Sequence, residues 1–173
     1  RRVTDAEMLR VVTLVYGGMG NKNIVARRQA CGINALGLTG ADMNVLLSDR
    51  RPPKKMLIKG ENGQPDEEQT VDFGFVGDVK KADGRALSAL IGQGITPVMA
   101  PLTHDGMGNI LNTNADTIAS AVAIAMAGYR YRSPREVCCR CEECTHCSDD
   151  GRLTHKVNLI YCFEKDGVLY DKN

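Results

Sequence analysis

Apolar positions along the 173-residue chain recur at two periods, one helical and one extended. Met8, Val11, Val12, Val15 and Tyr16 keep helical spacing behind Thr4-Asp5-Ala6-Glu7, a capping-box pattern in which the Thr4 hydroxyl takes an amide and Glu7 reaches back. Gly17-Gly18 is expected to interrupt that helix. A second helix over residues 21–30 carries Ile24 and Val25 and stops at Gly32, placed as a C′ glycine. Residues 33–38 read as a buried strand ending at Thr39-Gly40. Residues 49–69 are polar around the apolar island Met56-Leu57-Ile58, which predicts an exposed hairpin.

Beyond it, residues 73–79 read as a strand punctuated by glycine, and residues 84–91 as a helix. Residues 95–101 form a continuous apolar run suited to a central parallel strand, and residues 104–109 a tight glycine-rich turn in which His104 is a turn residue. A long alanine-rich helix runs from Thr117 to about Tyr129, and a last apolar strand covers residues 157–163. This alternation predicts an α/β fold, a mainly parallel sheet covered on both faces in one domain. An exposed hairpin at 49–70 and a cysteine-rich insertion at 130–156 would interrupt it.

Composition adds exclusions. With 43% apolar residues the chain can bury a core without disulfides or a structural metal. Its 22 basic and 21 acidic residues cancel, which argues against a non-specific nucleic-acid or anionic-membrane binder. No apolar stretch approaches the roughly 20 residues of a spanning helix, and no signal peptide opens the chain. The chain starts at Arg1 rather than Met, and Arg2-Val3-Thr4 reads as a strand end running into a helix, so a longer parent chain is expected.

Five of the seven cysteines crowd into residues 138–147, a pattern suited to a reducing cytoplasm rather than to a secreted disulfide framework. Cys138, Cys141, Cys144 and Cys147, with His146 and His155 nearby, stand at spacings that can surround Zn²⁺ or an iron–sulfur cluster. A zinc site usually takes two separated pairs, whereas these ligands share one short loop, so a disordered or redox-labile surface loop is the preferred reading and no metal is assigned.

The most informative run is Asn112-Thr113-Asn114-Ala115-Asp116, between an expected strand and a helix N-terminus, where open α/β sheets bind ligands and free amides favour anions. Two asparagines one residue apart offer amide groups to a carboxylate, and Asp116 could orient lysines. The same residues also suit simple capping of the helix. On spacing alone the two readings stand level.

Six blocks extend the pattern: Arg2-Val3-Thr4-Asp5-Ala6-Glu7; Gly17-Gly18 through Asn21-Lys22-Asn23-Ile24-Val25-Ala26; Leu36-Gly37-Leu38-Thr39-Gly40-Ala41-Asp42; Phe73-Gly74-Phe75-Val76-Gly77-Asp78-Val79; Pro97-Val98-Met99-Ala100-Pro101; and Leu111-Asn112-Thr113-Asn114-Ala115-Asp116. In order and spacing they resemble the acetylglutamate kinases, members of the amino acid kinase family. The resemblance implies a three-layer α/β/α sandwich that moves the γ-phosphoryl of ATP, with Mg²⁺, onto the side-chain carboxylate of N-acetyl- or N-succinyl-L-glutamate in arginine biosynthesis. By that resemblance Arg2, Asn112 and Asn114 bind the acceptor, Asp116 holds phosphate-binding lysines, and Glu164 and Gly167 fall on the nucleotide side. A cytoplasmic homodimer is implied too, paired through the helix beginning at Thr4 with Met8, Val12 and Val15 at its interface.

Departures exist. Glu164 stands where the family usually has Asp, Asp166 where it has Pro, and Ala41 where a lysine is common. The glycine loop with a catalytic lysine and the segment with a second lysine have no counterpart here, and Lys22, Lys80 and Lys81 lie in the wrong motifs to replace them. The 173 residues alone are therefore not expected to catalyse the transfer. The alternative is a non-catalytic relative, a ligand-binding or assembly module with a metal- or redox-responsive cysteine loop.

Overall fold

A computed structural model describes residues 3–58, 67–131, 153–154 and 156–160. Its first helical run is longer than the glycine pattern predicts. Helix α1 (Ala6–Val12) passes into a π-helical stretch, Thr13–Gly20, and then into α2 (Asn21–Ala30) without a break. Gly17 and Gly20 serve closeness here rather than termination. A Cβ on Gly17 would stand 3.0 Å from Leu102 Cδ1, and one on Gly20 would stand 2.9 Å from the Val15 carbonyl oxygen.

The cap is also displaced by one residue. Asp5, not Thr4, caps α1, its carboxylate accepting the Met8 amide at 2.8 Å. Thr4 is buried, and its backbone is occupied on both sides: its N–H donates to Phe73 O and its carbonyl accepts from Phe75 N–H. The other end follows expectation. Gly32, at φ +74°, lets its own amide reach Gln29 O and the Ile33 amide reach Arg28 O, closing a Schellman motif.

The strands form mixed sheets. β1 (Ala35–Leu38) pairs in parallel with β6 (Thr96–Met99). β2 (Leu46–Arg50) lies between β5 (Gly77–Ala82), antiparallel, and β7 (Leu102–His104), parallel; β8 (Ile110–Asn112) closes the row antiparallel to β7. β3 (Lys54–Ile58) pairs antiparallel with β4 (Glu67–Val71), and β9 (Arg130–Tyr131) with β10 (Leu153–Thr154). The α/β class stands, but the pairing is less parallel than strand–helix alternation suggests. Residues 105–109 are too few for the crossover a parallel β7–β8 pair would need, so that connection must be a hairpin.

Three further expectations change. The apolar run 95–101 is not one strand: the chain leaves β6 at Met99 and enters a different sheet at Leu102. The switch is tied by Ala100 N–H to Leu38 O and Gly40 N–H to Leu102 O. Residues 156–160 form no strand among the described residues, while the 73–79 segment enters its ladder only at Gly77.

Helices α3 (Gly84–Gly92) and α4 (Ala115–Gly128) cover the face where Val45, Leu46, Leu87, Ile118 and Met126 form the buried cluster, with Val79, Met99 and Val122 packed against it. Asp83 caps α3, accepting the Arg85 and Ala86 amides. Among the described residues no helix is long and apolar enough to cross a membrane.

Candidate functional site

Three segments distant in sequence meet at the β8–α4 junction. Thr4 forms a parallel bridge with Gly74, and Val76 forms one with Asn112. The Asn112 amide donates to Phe75 O at 2.8 Å, and its side-chain Nδ2 donates to Thr4 Oγ1 at 3.1 Å. Gly74 sits at φ +69°, and a Cβ there would overlap the Thr4 carbonyl oxygen, so only glycine lets the strand before α1 lie this close. Arg50 braces the same turn from outside. Its Nε donates to Gly74 O at 2.7 Å, and its guanidinium lies 5.3 Å from the centre of the Phe75 ring.

Between β8 and α4 the chain stays extended, so alternate residues face alternate sides. Thr113 turns inward and is buried, its Oγ1 2.8 Å from that of Thr103. Asn112 is half-buried and Asn114 exposed. Asn114 is the N-cap of α4, its Oδ1 accepting the Thr117 amide at 3.1 Å, so the capping reading describes this residue. Its Nδ2 is not part of that bond. Asn112 caps nothing; its carboxamide is held by Thr4 instead. Asp116 lies exposed in the first turn of α4, where the positive end of the helix dipole favours a carboxylate.

The structure thus places Asn112 at the end of β8, Asn114 at the N-cap of α4 and Asp116 in the first turn of that helix. Arg2, Glu164, Gly167, Cys138, Cys141, Cys144, Cys147, His146 and His155 lie outside the described residues. Two contributors were not singled out for this site from sequence: Thr4, read as a cap, and Gly74. The available signal is a glycine between two aromatics, Phe73-Gly74-Phe75, behind Asp72, whose carboxylate accepts the Gly74 amide at 2.8 Å.

Neighbouring loops are held by their own side chains. The Asp105 carboxylate accepts Asn109 Nδ2 and the Met107 and Asn109 amides, and these bonds, the Asn109 side chain's first, hold its pKa below the usual aspartate value. His104 is the last residue of β7 rather than a turn residue, and it uses both ring nitrogens, Nε2 with Asn44 Oδ1 at 2.7 Å and Nδ1 accepting the Gly106 amide of the turn that follows. Asp42 accepts the Thr39 amide and hydroxyl. At the base of the β3–β4 arm Arg51 pairs with Asp78; that hydrogen bond raises the guanidinium's pKa against a smaller desolvation penalty. Among the described residues no three His, Cys, Asp or Glu side chains gather to hold a metal ion.

The sequence model of the amino acid kinase family matches residues 1–130. The chain is 51% identical over 173 residues to an acetylglutamate kinase of Bacteroides thetaiotaomicron, covering 100% of this chain and 52% of that one. It is 49% identical over 171 residues to one from Cytophaga hutchinsonii, covering 99% and 50%. With one from Methanopyrus kandleri it shares 42% identity over 129 residues, covering 75% and 48%. The chain spans about half the length of the curated relatives it matches. In fold it is similar to the crystal structure of smu.665 from Streptococcus mutans UA159, with a TM-score of 0.56 and 24% identity over 72% of this chain and 44% of that one.

Proposed function

Since the chain belongs to the amino acid kinase family, we propose that the whole protein is an acetylglutamate kinase that phosphorylates the side-chain carboxylate of N-acetyl- or N-succinyl-L-glutamate with ATP. The observation that carries this reading is the pair Asn112 and Asn114, one residue apart where β8 ends and α4 begins, the first held by Thr4 and the second capping the helix. End-to-end identity with kinases of that name supports it.

In this reading the amide edge grips the acceptor. Each asparagine keeps an N–H outside the bonds already described, and an N–H donated to a carboxylate is a charge-assisted bond. Arg2, two residues before Thr4, adds a bidentate fork for the α-carboxylate. Asp116 holds the cations that face the phosphates, and Glu164 and Gly167 contribute on the nucleotide side. The reaction needs mainly in-line positioning and neutralisation of charge between two anions.

The lysines that neutralise this charge come from the rest of the protein. Lys22 donates to Gly37 O, and Lys80 pairs with Asp49, so both are committed elsewhere. Mg²⁺ is normally held largely by substrate phosphates and waters. The described residues offer no protein cage for it.

In the same reading the protein works in the cytoplasm and pairs with a second copy through α1 and the π-helical stretch. What supports the pairing is the row Met8, Val11, Leu14, Val15, Tyr16 and Met19, all exposed, with Leu14 and Met19 above 60%. Val12, also expected at the interface, is half-buried. The test is acyl-hydroxamate formation by the full-length gene product from ATP, Mg²⁺ and either N-acylglutamate in hydroxylamine. Product with one of the two is expected; none with either overturns the kinase reading.

A further inference from the structure

Among the described residues Thr4 is the one polar side chain at the junction that is 99% buried and yet hydrogen-bonded directly to a candidate acceptor-binding group. Its backbone is fixed independently: its N–H and carbonyl hold Phe73 and Phe75, and Gly74 permits the close approach. The Asn112 backbone is fixed to the same segment through Phe75 O. Two backbones anchored to one turn therefore set the distance between the Thr4 hydroxyl and the Asn112 carboxamide. Terminal amide torsions are broad, so without an anchor the Asn112 amide would sample several orientations.

From this geometry we propose that Thr4 is a positioning residue: its hydroxyl accepts one N–H of Asn112 and so aims the other at the acceptor's carboxylate. The assignment rests on the acetylglutamate kinase reading and adds a residue that acts only through Asn112. Removing the hydroxyl should weaken acceptor binding without touching the nucleotide. The loss of one neutral hydrogen bond predicts roughly a five- to tenfold rise in KM for the N-acylglutamate.

The experiment compares the full-length protein with Thr4→Val, which keeps the branched shape, and Thr4→Ser, which keeps the hydroxyl. Expected are a five- to tenfold higher acceptor KM in Thr4→Val with an unchanged ATP KM, and recovery to within about twofold in Thr4→Ser. An unchanged acceptor KM in Thr4→Val overturns the assignment, as does an equal rise in both variants. A parallel measurement needs no turnover: the side-chain amide protons of Asn112 should exchange slowly with solvent in the parent and faster in Thr4→Val. If the parent makes no acyl phosphate, the kinase reading fails alone, and the exchange rates decide whether Thr4 holds Asn112. Equal exchange in parent and Thr4→Val refutes the hold.

Discussion

Replacing Gly74 by alanine tests the junction most severely. At φ +69° a residue with a side chain pays about 1–2 kcal/mol for the left-handed backbone. The added Cβ would also overlap the Thr4 carbonyl oxygen and stand 2.9 Å from its carbonyl carbon, both backbone atoms that no rotamer change can clear. The bridge must open, which breaks Thr4 N–H to Phe73 O and Phe75 N–H to Thr4 O, each worth about 1 kcal/mol net. The sum is about 3–4 kcal/mol, a large share of the roughly 5–15 kcal/mol that stabilises an ordinary domain. At a urea slope near 2 kcal/mol/M this lowers the unfolding midpoint by about 1.5–2 M. Gly92 supplies the control, because a Cβ at this last residue of α3 meets nothing within 4 Å. Gly92→Ala should be neutral or stabilising by up to about 1 kcal/mol. A Gly74→Ala midpoint within about 0.3 M of the parent refutes the reasoning, since it would mean that the bridge yields at almost no cost.

Other perturbations follow from single contacts. Thr103→Val leaves the buried Thr113 hydroxyl without its 2.8 Å partner and should destabilise by about 1–3 kcal/mol, whereas Thr103→Val/Thr113→Val costs less than the two single variants summed, read by urea unfolding. Asp105 has a lowered folded pKa, so the stability it adds is full above the ordinary aspartate range and is lost as pH falls through its folded value. The midpoint difference between parent and Asp105→Asn should close over that acid range, and a carboxyl NMR titration should place Asp105 below an ordinary aspartate. Under the proposed pairing, Leu14→Glu sets a charge in the middle of the exposed apolar row, and light scattering should show a dimer for the parent and a monomer for the variant.

Legibility differed by element for physical reasons. Gly32 and the α3 helix could be read because their signals are local: a left-handed cap and a 3.6-residue apolar period. The Asn114 cap is also a local signal, and spacing alone leaves it level with ligand binding for that run. Thr4 was misread because a capping pattern tolerates a shift of one residue, and the choice between Thr4 and Asp5 is settled by Phe73 and Phe75, about 70 positions away. Gly17-Gly18 suggests a stop, yet Gly17 serves the approach of the π-helical stretch to Leu102 of β7, a tertiary need invisible in the local pattern. The sheet change at Ala100–Pro101 escaped for a similar reason: apolar residues continue through it, and only the bonds to Leu38 and Gly40 reveal two strands.

In the proposed function Asn112 and Asn114 hold the acceptor's carboxylate. The most direct test is the acceptor KM of Asn112→Ala in the full-length protein, measured beside the ATP KM by hydroxamate formation. Loss of a hydrogen bond to a charged group predicts about a 10- to 100-fold rise for the N-acylglutamate and no change for ATP. An acceptor KM equal to the parent's, with turnover intact, would contradict the account and move the carboxylate site away from the β8–α4 junction.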